Sequence, residues 1–257
     1  MRELENNRIE PILYSVVLQT KWAHPRLPNY PPLYQDDSRD IKNPRFKEMT
    51  ACATHVGLQN MKVSLAVEIL ESCINVRDLA LWIIIGHHKL LRQIIPNLPV
   101  RRLHVDIERF FREDPDAGCR LDLFNFDHIP LMNLTHLHIL VFPAVPWSQW
   151  KSIALLPNLS HLAIDCWNLG FTKQALEECK SLTCFVIALP RAGQHKSVKL
   201  HAMDPRLVLL AESQWIQSWG KGARTGNDIW TRAEMARNKC FEQESTKPQP
   251  TNLPRHL

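Results

Sequence analysis

Glycine is scarce, with eight residues in 257. Loops that cradle phosphates need glycine where backbone approaches a ligand, so nucleotide chemistry is not expected. Long apolar runs are missing too. The longest, "LALWIIIG" (79–86), falls far short of the roughly 20 residues that span a bilayer. Lys and Arg are interleaved with Asp and Glu, and the net charge is only +5. No basic stripe suggests nucleic acid. The seven cysteines are odd in number and form no CxxC pair. The N-terminus "MRELENNRIE" is charged and unlike a signal peptide. Free thiols in a reducing compartment follow, so the expected location is intracellular, in cytoplasm or nucleus. The sequons at Asn133 and Asn158 then carry no glycan. GxSxG, HExxH and kinase motifs are absent, and "GKGARTG" (220–226) lacks the order of a phosphate loop. A non-enzymatic protein without cofactor is expected.

What is present is a repeat. The pattern apolar-x-x-apolar-x-apolar recurs as "ATHVGL" (53–58), "VRDLAL" (76–81), "VRRLHV" (100–105), "LTHLHI" (134–139), "LSHLAI" (159–164) and "LTCFVI" (182–187). The starts are 23, 24, 34, 25 and 23 residues apart. Four of these intervals match the period of leucine-rich repeats, about 20–29 residues. The long interval carries an insertion, "REDPDAGCR" (112–120), rich in loop formers. Segments such as "AVEILESC" and "KQALEECK" place apolar residues at helical spacing before the next strand. Cys73 and Cys179 occupy one repeat position, as buried packing residues would. The fold class expected is α/β: a degenerate leucine-rich-repeat solenoid, with parallel strands on the concave face, helices on the convex face, and caps at both ends. The regular Asn/Cys ladder that should follow each strand is missing.

Side chains alternate across a strand. Positions four and six of each match are apolar and face the core, from Val56 and Leu58 to Phe185 and Ile187. Position three reads His55, Asp78, Arg102, His136, His161 and Cys184. Position five adds His104 and His138, and position seven adds Trp82, Asp106 and Asp165. So polar a column on a solenoid suggests an exposed concave binding face. The expected partner contacts are Asp78, Trp82, Arg102, His104, His136, His138 and His161. A regular ladder gives its imidazoles no common point, so no metal is expected there. An ordinary histidine pKa of about 6.5 predicts that partner binding changes between about pH 5.5 and 7.5.

Four regions are expected. Residues 1–50 hold a cap strand within "PILYSVVLQT" (11–20) and a proline-rich loop; 51–190 hold the repeats; 191–240 form a C-terminal cap; 241–257 are a disordered tail. In the cap, "HAMDPRLVLL" (201–210) reads as one more strand. Asn227 and Asp228 read as the start of a capped helix, and Trp215, Trp219 and Trp230 read as a tail folding back onto the last repeat.

The segments "RIEPILYSVVL" (8–18), "INVRDLALW" (74–82), "IALLPNLSHLAID" (153–165), "CKSLT" (179–183), "DPRLVLL" (204–210) and "GNDIWTRAE" (226–234) resemble uncharacterised F-box/leucine-rich-repeat-like proteins of mushroom-forming fungi. In that family an F-box, which docks the adaptor of a cullin-type ubiquitin ligase, precedes the segment resembling residues 8–18. This chain begins where that module would end. The resemblance implies a protein-interaction module like the substrate-recognition part of such ligases. It implies coupling to the adaptor only if a divergent F-box is present. The alternative expectation is a metal- or small-ligand-binding protein using the histidine cluster.

Overall fold

The computed structural model describes residues 16–20, 47, 50–111, 126, 131–140, 145–190 and 204–245. Eight strands, β1 (Val16–Thr20), β2 (His55–Lys62), β3 (Asp78–Ile85), β4 (Arg102–Asp106), β5 (His136–Leu140), β6 (His161–Ile164), β7 (Cys184–Leu189) and β8 (Leu207–Ala211), form one sheet in chain order. Every pairing is parallel. Sequential order with parallel strands requires each connection to return over the sheet, and the described parts of the returns share one face. They carry α1 (Val63–Ser72), α2 (Lys89–Ile94), α3 (Ile107–Phe111) and α4 (Leu169–Glu178), with 3-10 turns at Ile95–Asn97, Trp147–Gln149 and Lys151–Leu155. The result is a solenoid-like α/β fold.

The repeat alignment and the sheet register coincide. Leu79 pairs with Leu103, Leu103 with Leu137, Leu137 with Leu162, and Leu162 with Phe185. The position-four and position-six residues are all buried in one continuous core with Ile69, Leu70, Phe110 and Trp150. Cys73 and Cys179 end α1 and α4 and are buried in that core. A second regularity lies in the backbone. The carbonyl at position two accepts N–H bonds from positions two and three of the next repeat, as Arg101 does from Thr135 and His136. The asparagine ladder absent after the strands exists before them: Asn75 donates to the Ala51 carbonyl at 2.8 Å and Asn158 to that of Met132 at 2.7 Å.

Strands β2 and β3 run four residues past the repeat. There Asn60 and Ile83 both adopt φ of 52°, a left-handed conformation costly for a β-branched residue. The step moves Met61 and Ile84 onto the core face, where strict alternation would have placed Asn60 and Ile83. Ile83 is left exposed.

The C-terminal segment departs from its expected place. Helices α5 (Trp215–Thr225) and α6 (Ile229–Ser245) do not merely cap the last repeat. They lie across the polar face of the sheet, so that Trp219 packs with Ala80, Trp82 and Leu140, and Trp230 with Ala163, Cys184 and Val186. Asp228 starts α6 as foreseen, accepting the Thr231 N–H at 2.8 Å. The insertion at 112–120 and the proline-rich loop, apart from Lys47 and Thr50, lie outside the described residues, as does the tail beyond Ser245.

Candidate functional site

The polar face brings together all seven residues expected from the sequence, but not as an exposed ladder. Asp78, Trp82, His104 and His138 are buried; Arg102, His136 and His161 are half-buried. The expectation of an open binding face is thereby corrected. The physical reason is that position five is small or apolar on most strands, and that indoles from α5 and α6 bury more area there than water contact would.

Each of the seven residues makes at least one contact with the helices or with a neighbouring strand. The Trp219 indole N–H donates to Asp78 Oδ1 at 3.0 Å, and its ring meets Trp82 edge-on at 5.5 Å. Arg102 Nη1 donates to Asp228 Oδ2 at 2.5 Å and lies 3.9 Å from Asp78. His104 and His138 face each other through their Nδ1 atoms at 3.1 Å, so one must donate and the other accept. His136 stacks on His161 with centroids 4.1 Å apart, and Trp230 stands T-shaped to both. His161 Nε2 lies 2.8 Å from Glu234 Oε1. Behind the helices, Arg232 pairs with Glu212, which also accepts from the Ser218 hydroxyl at 2.7 Å.

A hydroxyl precedes each position-three histidine. Thr54, Thr135 and Ser160 bond Nδ1 of His55, His136 and His161 at 2.9, 2.7 and 2.8 Å. Thr135 and Ser160 also reach the position-two carbonyl of the preceding repeat, at 3.0 and 3.2 Å. The dipeptides "TH", "TH" and "SH" carry this motif in the sequence, a signal that the column of histidines alone does not reveal.

Burial decides the charge states. It pushes His136 down to about 3, with the neighbouring His161 adding to the effect, and drives His138 far below the ordinary imidazole range. Burial also lowers His161, partly offset by Glu234. His136 and His138 therefore stay neutral in the closed fold, and the expected switch between pH 5.5 and 7.5 does not operate through them. For Asp78, burial raises the carboxyl but His104 and Trp219 outweigh it, leaving it below its ordinary value.

The cover is imperfect. Trp82 Nε1, His104 Nε2, His138 Nε2 and Trp230 Nε1 are buried without a hydrogen-bond partner among the described residues. His104 Nε2 stands 3.5 Å from Asp78 Oδ1, attracted but too distant for a good bond. Trp82, His104, His138, Trp215 and Trp219 line a cavity of ≈ 20 Å³ beneath the helices, room for about one water.

Among the described residues one group has metal-ligand character: His161, Cys184 and Glu234, whose donor atoms all lie within 4.8 Å of one another. The histidine cluster itself does not converge. Sequence reasoning placed Asp228 at a helix start but not beside Arg102, and it missed Glu234 and Arg237. The available signal was the helical stripe Trp230, Ala233, Glu234 and Arg237, at i, i+3, i+4 and i+7.

No helix among the described residues is long and apolar enough to cross a membrane. No family model, no curated protein and no solved structure matches this chain.

Proposed function

We propose that the chain is a non-enzymatic protein-interaction module built on degenerate leucine-rich repeats, with the polar sheet face as its recognition surface and α5 and α6 covering that surface at rest. The observation that carries this reading is the character of the cover. Beyond the packing of Trp219 and Trp230, its ties are ion pairs and single hydrogen bonds, and it leaves four buried N–H or imidazole groups unpaired. Each such group costs about 1–3 kcal/mol when desolvated without a partner. A permanent core satisfies its polar groups; a cover that does not is cheap to displace. Arg102 and Trp82, of the types that dominate interfaces, lie under or beside it. The likeness to F-box proteins makes protein substrates of a cullin-type ligase the partner class to look for on this face, with the ligase adaptor a partner only if a divergent F-box is present.

The test is quantitative capture from the cells that make the protein. Trp230→Ala with Glu234→Lys loosens the cover and is expected to raise partner recovery severalfold. Adding Arg102→Glu with Trp82→Ala in that background should abolish it while the sheet remains folded. Equal recovery by all of these chains would remove the recognition reading. A second reading, metal binding, is favoured by the convergence of His161, Cys184 and Glu234.

A further inference from the structure

We propose that His161 Nε2, Cys184 Sγ and a Glu234 carboxylate oxygen form a binding site for a zinc-class divalent cation that fastens α6 to the sheet. This inference needs only the closed geometry and stands apart from the recognition reading.

Two ligands come from position three of adjacent strands, paired in register as His161 and Cys184. The third descends from α6. All three donors fall within 4.8 Å. Zinc bonds of about 2.0–2.3 Å place tetrahedral donors roughly 3.3–3.8 Å apart. The His161–Glu234 contact of 2.8 Å would open by about half an ångström, a side-chain adjustment. Nitrogen, thiolate and carboxylate together suit zinc better than magnesium or calcium, which take oxygen. A thiolate and a carboxylate also balance a charge of two.

The surroundings hold these ligands as outer-shell groups hold ligands elsewhere. Arg237 donates to the other carboxylate oxygen of Glu234 at 2.6 Å and to the Thr183 carbonyl at 2.6 Å, fixing the carboxylate with one oxygen toward the sheet. Its positive charge opposes the cation and limits affinity. Arg102, on the far side of His136, acts in the same sense. Ser160 supplies a proton switch. Without metal, its hydroxyl can donate to His161 Nδ1 at 2.8 Å while Nε2–H donates to Glu234. With metal, the imidazole proton moves to Nδ1 and is accepted by the Ser160 oxygen, whose own proton turns to the Thr135 carbonyl at 3.2 Å. The Nε2 lone pair is then free for the ion. Counting protons, the imidazole keeps one, the carboxylate brings none, and the Cys184 thiol releases one per cation bound. Three protein ligands leave a fourth position for water.

The experiment is zinc titration of the full chain, purified without a histidine tag and stripped with chelator, by competition against a chromogenic zinc indicator. One zinc per chain is expected, with affinity at least tenfold weaker in Cys184→Ser and in Glu234→Gln and unchanged in Cys179→Ser. Cobalt(II) should give thiolate-to-metal absorption in the wild-type chain that Cys184→Ser loses, and circular dichroism checks that each variant is folded. Should Cys184→Ser fail to fold, Glu234→Gln carries the same comparison. Absence of stoichiometric binding, or binding that both site variants retain, overturns the proposal. Either negative result leaves the recognition reading intact, because that reading uses no metal.

Discussion

Acid should loosen this protein earlier than its carboxylates would. His136 and His138 are neutral in the folded chain because burial denies their charged forms water. In the unfolded chain both return to about 6.5. Above that pH neither state carries the proton, and stability does not respond. As pH falls through 6.5 the unfolded chain takes up protons that the fold refuses, down to about 3 for His136, with His138 also held well below 6.5. The slope is about 1.4 kcal/mol per pH unit for each ring. Moving from pH 7.5 to 5.5 therefore costs about 1.4 kcal/mol per ring, or about 3 kcal/mol for the pair. His88 and His161, also lowered by burial, act in the same direction. Asp78 and Glu212 are held below their ordinary values, so their stabilisation is lost only at lower pH, while Asp106, raised by burial, opposes the trend. Urea denaturation with chelator present, at both pH values, measures the effect. The double variant His136→Gln with His138→Gln should flatten the pH response by about 3 kcal/mol. An unchanged response in that variant would refute the claim that these rings are buried and neutral.

Two further predictions concern the frame and its cover. Leu137, fully buried between Leu103 and Leu162 in register, should cost about 2–5 kcal/mol when changed to Ala, read as a lowered urea midpoint with unchanged m-value. Gly222 admits no side chain: a Cβ there would lie 2.6 Å from the Asp228 Cα. Gly222→Ala should push the start of α6 away from α5, costing about 1–3 kcal/mol and weakening the Asp228–Arg102 pair, visible as loss of Trp fluorescence shift on melting.

The sheet was legible because its period is strict. A two-residue alternation inside a repeat of about 24 residues assigns each side chain a face and each strand a neighbour, so the sequence alone aligns Leu103, Leu137 and Leu162. Asn60 and Ile83 escaped because a backbone step into positive φ leaves no mark in hydropathy. The position of α5 and α6 escaped for a different reason. Amphipathic spacing says that a helix buries Trp215 and Trp219, or Trp230 and Ala233, but not against what. A polar column on a strand therefore suggests exposure to solvent, whereas its histidines, Asp78 and Arg102 meet Trp219, Asp228, Trp230 and Glu234 from a distant part of the chain.

Hydrogen exchange of the intact chain, followed by mass spectrometry, tests the central claim most directly. If α5 and α6 are a displaceable cover, amides of residues 215–239 will exchange through an opening that costs several kcal/mol less than the one that exposes β4, β5 and β6, and Trp230→Ala will speed the first without the second. Exchange of helices and sheet together, as one cooperative unit with a single free energy, would contradict it.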